Sequence, residues 1–595
     1  MSILSTASPM STATLDSLLP LPAVVLIVGA TVCPLLGRIS ARAPMVVAVL
    51  ACGTAGGILA LFAPAVYSGR LLVTYLGGWT PKGGAALGIA FAADPFGLSY
   101  ALAVTVVSLV LTVFTLSMLG RLGPRELGGY ACLFLLLAAA LVGIALTADA
   151  FNLFVWLEVA ALASYALTGF FLERPTALEA AFKILVLTTI GTFCVFVGTG
   201  VLYAEYGALN LGQLHRSLEP GVGVVGLVAL GLLVAGYGTK AGLIPFHGWL
   251  ADAHTAAPGP VSALFSGLMV SLGVVGIARF AFLVYDRPPP VLGVLMVVGV
   301  VSAVVGALLS LGQDDLKRLL AYDTVSQIGV VTVGLAIGTR VGVAGGTYQL
   351  LNHTLFKSLL FLCAGTVLHV TGKERLSELG GLGRQMPLVA AAFLVGVLAI
   401  SGVPPLNGYV SLGLIHEGLE ETHQYVPLAA LLVSQAVTVA ALGRAAWRVF
   451  FGPARGPAPA GESARPGMVA GFVALATLCV AFGAVPKLLL HRVLSPAADW
   501  LLDAGDYGRS VLAGGGHVSL GPVVTFDYLA PTSLLVALGT AVVGVLLAWR
   551  YAGDRVPRSV VPLRRLHTGS VNDYASFLVA GLLLVCGGLL AGRLG

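Results

Sequence analysis

The chain has 595 residues, of which 58% are hydrophobic and only 10% charged, and its formal net charge is +6. Soluble globular proteins carry charge on about a quarter of their residues, so this composition excludes a sizeable soluble domain. The 32 Lys and Arg and 26 Asp and Glu are spread along the whole chain and leave no basic face for nucleic acid; a mean hydropathy of +0.98 places the chain in a bilayer.

The seven cysteines (Cys33, Cys52, Cys132, Cys194, Cys363, Cys479, Cys586) are scattered through apolar runs without C-x-x-C spacing. They read as small hydrophobes, not as ligands for zinc or an iron–sulfur cluster. The segment MSILSTASPMSTATLDSLLP lacks the basic region of a cleaved signal, so the apolar stretch that follows is expected to be a retained span.

A transmembrane helix needs about 20 apolar residues. Such runs fall near 17–37, 44–68, 97–119, 129–149, 150–171, 178–205, 222–247, 260–284, 290–312, 319–338, 342–370, 387–415, 425–452, 468–486, 532–552 and 574–593. The fold class is therefore an all-α polytopic bundle of about 14–16 helices. With the amino terminus external, the loops holding Arg38, Arg42, Arg121, Arg125, Arg174, Lys317, Arg318, Lys373, Arg375, Arg384, Arg448, Arg455, Arg465, Arg550, Arg555, Arg558, Arg564 and Arg565 all fall inside, and the opposite loops hold about half as many. That asymmetry predicts a multi-pass protein of the cell membrane with both termini on the outer side. The polar segments 452–467 and 503–525 read as loops.

Two spans are interrupted alike: the seventh by Gly242 and Pro245 in TKAGLIPFHGW, the twelfth by Gly402, Pro404, Pro405 and Gly408 in ISGVPPLNGYV. Paired breaks five helices apart predict two five-helix blocks of inverted topology with broken helices 7 and 12 and a site at midplane. The expected organisation is 1–125 for the amino-terminal helices, 126–285 and 286–452 for the two repeats, and 453–595 for a carboxy-terminal extension.

Charge near the bilayer centre costs at least about 2.5–3.5 kcal/mol per residue, so each instance must face protein, a partner or water. Glu158 lies in FNLFVWLEVAALASYAL, well inside the fifth span, and Lys240 sits in the last turn before the break of the seventh, where freed carbonyls favour an ammonium. Together they suggest an acid–base pair: a nearby carboxylate stabilises the ammonium and desolvation favours the neutral amine. The alternative is a permanently closed ion pair that locks two helices.

In TYQLLNHTLFKSLLFLCAGTVLHV, Gln349, His353 and Lys357 are spaced by four and line one helix face, with His369 about three turns further on. Such a stripe passes protons if water reaches it, and Lys357 calls for a hydrated cavity. Lys183 follows Glu179 by four residues, which suits either a helix-surface pair or snorkelling. His247, Asp252 and His254 in PFHGWLADAHTAAPGP have no recognised ligand spacing and predict a water-lined entrance, not a metal site. Lys317 and Asp323 in DDLKRLLAYDTVSQIG are further relay candidates, with Asp323 only a turn or so inside the tenth span.

The strings FNLFVWLEVAALASYAL, GTKAGLIPFHGWLADAHTAAPGPVSALFSG, DDLKRLLAYDTVSQIG, LLNHTLFKSLLFLCAGTVLH and AISGVPPLNGYVS together resemble the proton-translocating, antiporter-like membrane subunits of respiratory complex I, Mrp-type antiporters and group 4 hydrogenases. Within that group NHTLFKSLLFLCAGTVLHVTG and VPPLNGYVS look closest to the hydrogenase-4/formate-hydrogenlyase type, and FNLFVWLEVAALASYAL also resembles the Mrp D-type subunit. By this resemblance Glu158, Lys240 and His353 match the family's fifth-helix glutamate, seventh-helix lysine and eleventh-helix histidine. Two positions depart: Ser271 stands where the eighth helix usually has a basic residue, and Leu412 where a lysine or glutamate follows the twelfth-span break, with His416 and Glu417 as substitutes about one turn displaced.

The resemblance implies a subunit that moves protons, or sodium, within a multisubunit membrane complex. The chain has no flavin, dinucleotide or cluster motif, so no cofactor is expected on it and it has no catalytic centre of its own; redox chemistry would belong to partner subunits. The alternatives are a subunit of an Mrp-type cation/proton antiporter or ion-coupled inorganic-carbon uptake complex, and a non-conducting membrane scaffold.

Overall fold

The computed structural model describes residues 12–40, 42–118, 122–455, 465–551 and 560–594. Arg121, Arg555, Arg558 and residues 456–464 of the polar link lie outside them. Fifteen helices among the described residues are long and apolar enough to cross a membrane. They are span 1 (Thr14–Leu36), span 2 (Ala43–Val66), span 3 (Pro95–Met118), span 4 (Pro124–Leu146), span 5 (Ala150–Thr168), span 6 (Pro175–Tyr206), span 7 (Val224–Ala241), span 8 (Gly259–Val284), span 9 (Pro289–Leu311) and span 10 (Leu316–Ala336). Span 11 (Arg340–Thr371), span 13 (Tyr425–Phe451), span 14 (Pro466–Ala484), span 15 (Pro531–Arg550) and span 16 (Val571–Gly592) complete the set. Span 12 is two half-helices, Pro387–Ile400 and Asn407–Glu421. Each apolar run of the sequence is thus a helix or a broken helix.

Odd and even spans alternate in direction, so one face of the bundle collects Arg38, Arg174, Arg318, Arg375 and Arg550 and is called here the basic face. The opposite face holds structure that the helical reading did not anticipate. Three short antiparallel strands, β1 (Arg70–Tyr75), β2 (Ala90–Ala93) and β3 (Gly516–His517), form a sheet in the order β2-β1-β3. Segment 503–525, expected as loop, contains a helix at Ala504–Ala513. Its glycines hide a complete set of end signals: the Asp503 side chain accepts from Asp506 N, and Gly514 at φ +78° ends the helix. Gly508 packs against Gly212 of the helix Leu211–Leu218, where a Cβ on Gly212 would stand 2.7 Å from Gly508 O.

Two stretches of the chain are built to the same plan. Asp149 caps span 5 by accepting from Asn152 N at 2.7 Å, and Asp315 caps span 10 by accepting from Arg318 N at 2.7 Å. Asp149 bridges to Asn210 and Asp315 to Arg375, each just past the helix that follows. The flanking bonds repeat as well, Leu211 N to Ala148 O in one block and Leu376 N to Asp314 O in the other. Because five spans separate the paired features, they lie on opposite faces of the bundle, which is the inverted repeat.

The breaks complete the match. Span 7 ends at Gly242 and the first half of span 12 at Gly402, both with φ +68°. Leu243 N reaches back to Gly238 O at 3.0 Å, and Val403 N to Leu398 O at 3.1 Å. This is the same glycine-terminated cap in both places, and it satisfies carbonyls that the missing helical turn would otherwise leave open in the bilayer. The chain then restarts at Leu250–Ala256 and at Asn407–Glu421.

Candidate functional site

Lys240 occupies the final turn of span 7, and its side chain is buried, with no hydrogen-bond partner for Nζ among the described residues. Its ammonium lies 5.8 Å from the centre of the Tyr165 ring, a cation–π distance. Tyr165 stands two turns beyond half-buried Glu158 on span 5, and its hydroxyl is 2.7 Å from Thr188 Oγ1 on span 6. Glu158 acts on Lys240 through space without touching it. The closed ion pair is therefore absent, and the open arrangement of the two groups is the one observed.

The stripe on span 11 is fully buried, and each member has a different environment. Lys357 forms an ion pair with Asp323 of span 10, neither side chain having exposed surface, and donates to Leu320 O at 3.0 Å. The protein itself supplies the counter-charge to Lys357, a pairing the sequence did not indicate. Asp323, expected only a turn or so inside, is fully buried, facing Lys357 of span 11. His353, one turn from Lys357, has no hydrogen-bond partner on either ring nitrogen among the described residues. His254 is likewise unpartnered and stacks on Phe361 with ring centres 4.7 Å apart, within electrostatic reach of Lys317 and Lys357. Lys317 donates to Ala257 O at 2.7 Å.

From the stripe a continuous set of hydrogen bonds runs to the second break. Gln349 donates to Gln327 Oε1 at 2.9 Å and accepts from Ser411 Oγ at 2.6 Å; Asn352 donates to Ser411 Oγ at 2.9 Å and accepts from Asn407 Nδ2 at 2.9 Å. Sequence reasoning missed Gln327, Asn352, Asn407 and Ser411, although polar residues inside the quoted strings were the available signal. One turn beyond Asn407 and Ser411 lies a cavity of about 250 Å³, lined among others by Leu412, His416, Glu417, Gln435 and Asp527. His416 Nε2 and Gln435 Oε1 have no hydrogen-bond partner among the described residues. Leu412 and its suggested substitutes thus share one space.

A second cavity, of about 980 Å³, lies at the basic face and is lined by Lys183, Asp252, Arg318, Glu374 and His567, among others. Lys183 pairs with Glu179 at 2.6 Å and with Asp252 at 3.1 Å, and Asp252 also pairs with Arg318 at 3.1 Å. Lys183 is therefore turned toward protein charge and does not snorkel. His247, Asp252 and His254 part company: His247 Nε2 meets His567 Nε2 at 2.7 Å, Asp252 faces the cavity, and His254 points into the core. Half-buried His369 sits in the last turn of span 11.

Ser271 joins none of these groups. Its hydroxyl donates to Gly267 O of its own helix at 3.3 Å. Span 8 is instead positioned by Gly273, whose missing side chain lets it close on the backbone of Tyr237 and Ala241 beside Lys240. A second buried ion pair unforeseen from the sequence, Arg279 with Asp94, ties span 8 to the start of span 3, and Arg279 also donates to Ala145 O at 2.8 Å.

Residues 147–438 match the family described as NADH:quinone oxidoreductase/Mrp antiporter, TM. Subunit N of the NADH-quinone oxidoreductase of Desulforudis audaxviator is 36% identical over 368 residues, covering 61% of this chain and 72% of that one. Antiporter subunit mnhD2 of Staphylococcus aureus (strain MRSA252) is 32% identical over 391 residues, covering 64% and 76%. Among solved structures, the Mrp complex of Dietzia sp. DQ12-45-1b contains a chain that superposes with a TM-score of 0.76 at 26% identity over 84% of this chain and 100% of its own. The archaeal membrane-bound sulfane sulfur reductase gives 0.76 at 28% over 85% and 100%.

Proposed function

Because the chain belongs to the NADH:quinone oxidoreductase/Mrp antiporter membrane family, we propose that it conducts protons along its buried polar file, as the antiporter-like subunit of a multisubunit membrane complex. The observation that carries this is the set of enclosed titratable groups, Lys240, Lys317, Asp323, His353 and Lys357, together with one cavity lined by Lys183, Asp252 and Arg318 and another lined by His416 and Glu417. Enclosing so many such groups is costly in a helix bundle, and proton transfer is the task that requires them.

In this reading protons enter from the basic face, which is the cytoplasmic one, leaving both termini outside. Lys183 and Asp252 gather charge at the entrance. Lys240 holds a proton when Glu158 approaches and yields it when Glu158 withdraws, since a neighbouring carboxylate stabilises the ammonium and burial alone favours the amine. Asp323 and Lys357 exchange partners with His353, and the amide and hydroxyl groups from Gln349 to Ser411 carry the relay to the outer cavity, where His416 and Glu417 replace the family's terminal charge. Residues 126–285 and 286–452 are assigned as the two repeats that alternate in this work, flanked by 1–125 and 453–595.

The experiment is proton flux through the purified complex in proteoliposomes. Lys240→Met is expected to abolish flux while the subunits still co-purify; undiminished flux overturns the proposal. Co-purified partners decide what drives transport: cluster- or nickel-binding subunits indicate a redox complex, and small membrane subunits alone an antiporter.

A further inference from the structure

The carboxy-terminal extension reaches the entrance cavity. Val560 is fully buried, packed against Gly312 at the end of span 9, and span 16 runs along span 7, with Tyr574 seated on Gly248, Gly581 against Pro245 and Phe246, and Cys586 against Gly231. Between these anchors the loop presents His567 to His247, Nε2 to Nε2 at 2.7 Å, with the Tyr322 ring edge-on to both imidazoles.

We propose that His567 is a proton-gating residue, a contribution of the extension to the entrance of the file through its contact with His247. This rests on the proton-transfer reading above. The tautomers follow from the partners. His567 Nδ1 lies 3.0 Å from Leu563 O, and a carbonyl only accepts, so Nδ1 carries the hydrogen and Nε2 is the lone pair. His247 must then donate from Nε2, and its Nδ1, on the side of Pro245 O, makes no hydrogen bond of normal geometry among the described residues.

In the closed contact His567 has no free lone pair toward the cavity, and entry is blocked. When the rings part, Nε2 of His567 takes a proton from the cavity. Two N–H groups cannot then face each other, so His247 accepts only after its ring turns to present Nδ1. One N–H bond breaks on His567, one forms on His247, and the Nε2 proton of His247 passes to the neutral amine of Lys240, the next titratable group of the proposed file, where a new N–H bond forms. Each opening admits one proton.

The groups that face His567 are His247, Asp252 from the short helix after the break, Arg318 and Tyr322 of span 10, Lys183 of span 6 and Tyr574 of span 16. Burial first, and then the charge of Arg318, hold this imidazole below its usual pKa, against the opposing effects of Leu563 O and Asp252. A proton placed there is passed on and not retained.

The test measures proton flux against pH in proteoliposomes of the complete complex. His567→Gln keeps an acceptor for His247 but carries no proton; flux is expected to fall at least tenfold and to lose its acid-side titration. His247→Gln, made from the other side of the contact, is expected to do the same and serves if the first variant does not assemble. A bracing role alone is met by glutamine, so unchanged flux and pH profile overturn the gate. Lys240→Met separates the two readings: if it abolishes flux and His567→Gln does not alter it, the gate alone fails, and if Lys240→Met leaves flux intact, the underlying function fails.

Discussion

Asp323 and Lys357, on neighbouring helices and 34 residues apart, face each other with no exposed surface on either side chain. The pair turns an otherwise forbidden ammonium into a neutral unit inside the bundle. It also places an ammonium one turn along span 11 from an imidazole, His353, that has no hydrogen-bond partner of its own among the described residues.

Asp323→Asn leaves the Lys357 ammonium with neutral acceptors alone and no counter-charge. Breaking one side of a buried pair costs about 3–5 kcal/mol, whereas removing both charges is far milder. Thermal unfolding in detergent should show a large loss for Asp323→Asn and recovery of most of it in Asp323→Asn/Lys357→Met. A double variant no more stable than the single one contradicts the pairing.

Gly242→Ala and Gly402→Ala force a side chain into the left-handed region at φ +68°. The conformation costs about 1–2 kcal/mol, and the new Cβ at Gly242 would stand 2.4 Å from Leu250 Cδ1. Both variants should lower the unfolding temperature, and Gly242→Ala should also cut proton flux because Lys240 is two residues away. Gly53→Ala, with nothing within 4 Å, should change neither.

Leu412→Lys places an ammonium in the outer cavity within reach of Gln435 Oε1 and beside His416 and Glu417. Proton flux is expected to change in the assembled complex, since the family's terminal charge is restored. An assembled variant with the flux of the parent counts against the outer cavity as the exit.

Asp149, in the turn between spans 4 and 5, is held by burial at a pKa of about 6, above the ordinary 3.8, despite the hydrogen bond from Asn152 N. With the folded value raised, stability from this group is full below about pH 3.8, falls as pH rises toward 6, and stays low above it. The difference amounts to ~3 kcal/mol at most, at 1.36 kcal/mol per unit. Asp149→Asn keeps a good helix cap, so it should flatten the melting profile between pH 4 and 6 and raise stability at pH 7. A variant less stable than the parent at pH 7 would refute this.

The sequence alone determined the sixteen spans, the two breaks and the enclosed positions of Lys240, Gln349, His353 and Lys357. Apolar run length, glycine and proline at a helix end, and a four-residue spacing are local properties, and a bilayer gives each of them one meaning. Whether Glu158 touches Lys240, and what neutralises Lys357, are properties of helix packing. Contacts such as Asp94 with Arg279, 185 residues apart, or His247 with His567, 320 apart, leave no trace in local pattern. The helix at Ala504–Ala513 was hidden for a related reason: glycine-rich composition reads as loop until a neighbouring backbone, here Gly212 against Gly508, shows why a side chain is missing. Tertiary structure decided which buried polar groups meet, because in a bundle those meetings depend on where each helix lies and how it is rotated.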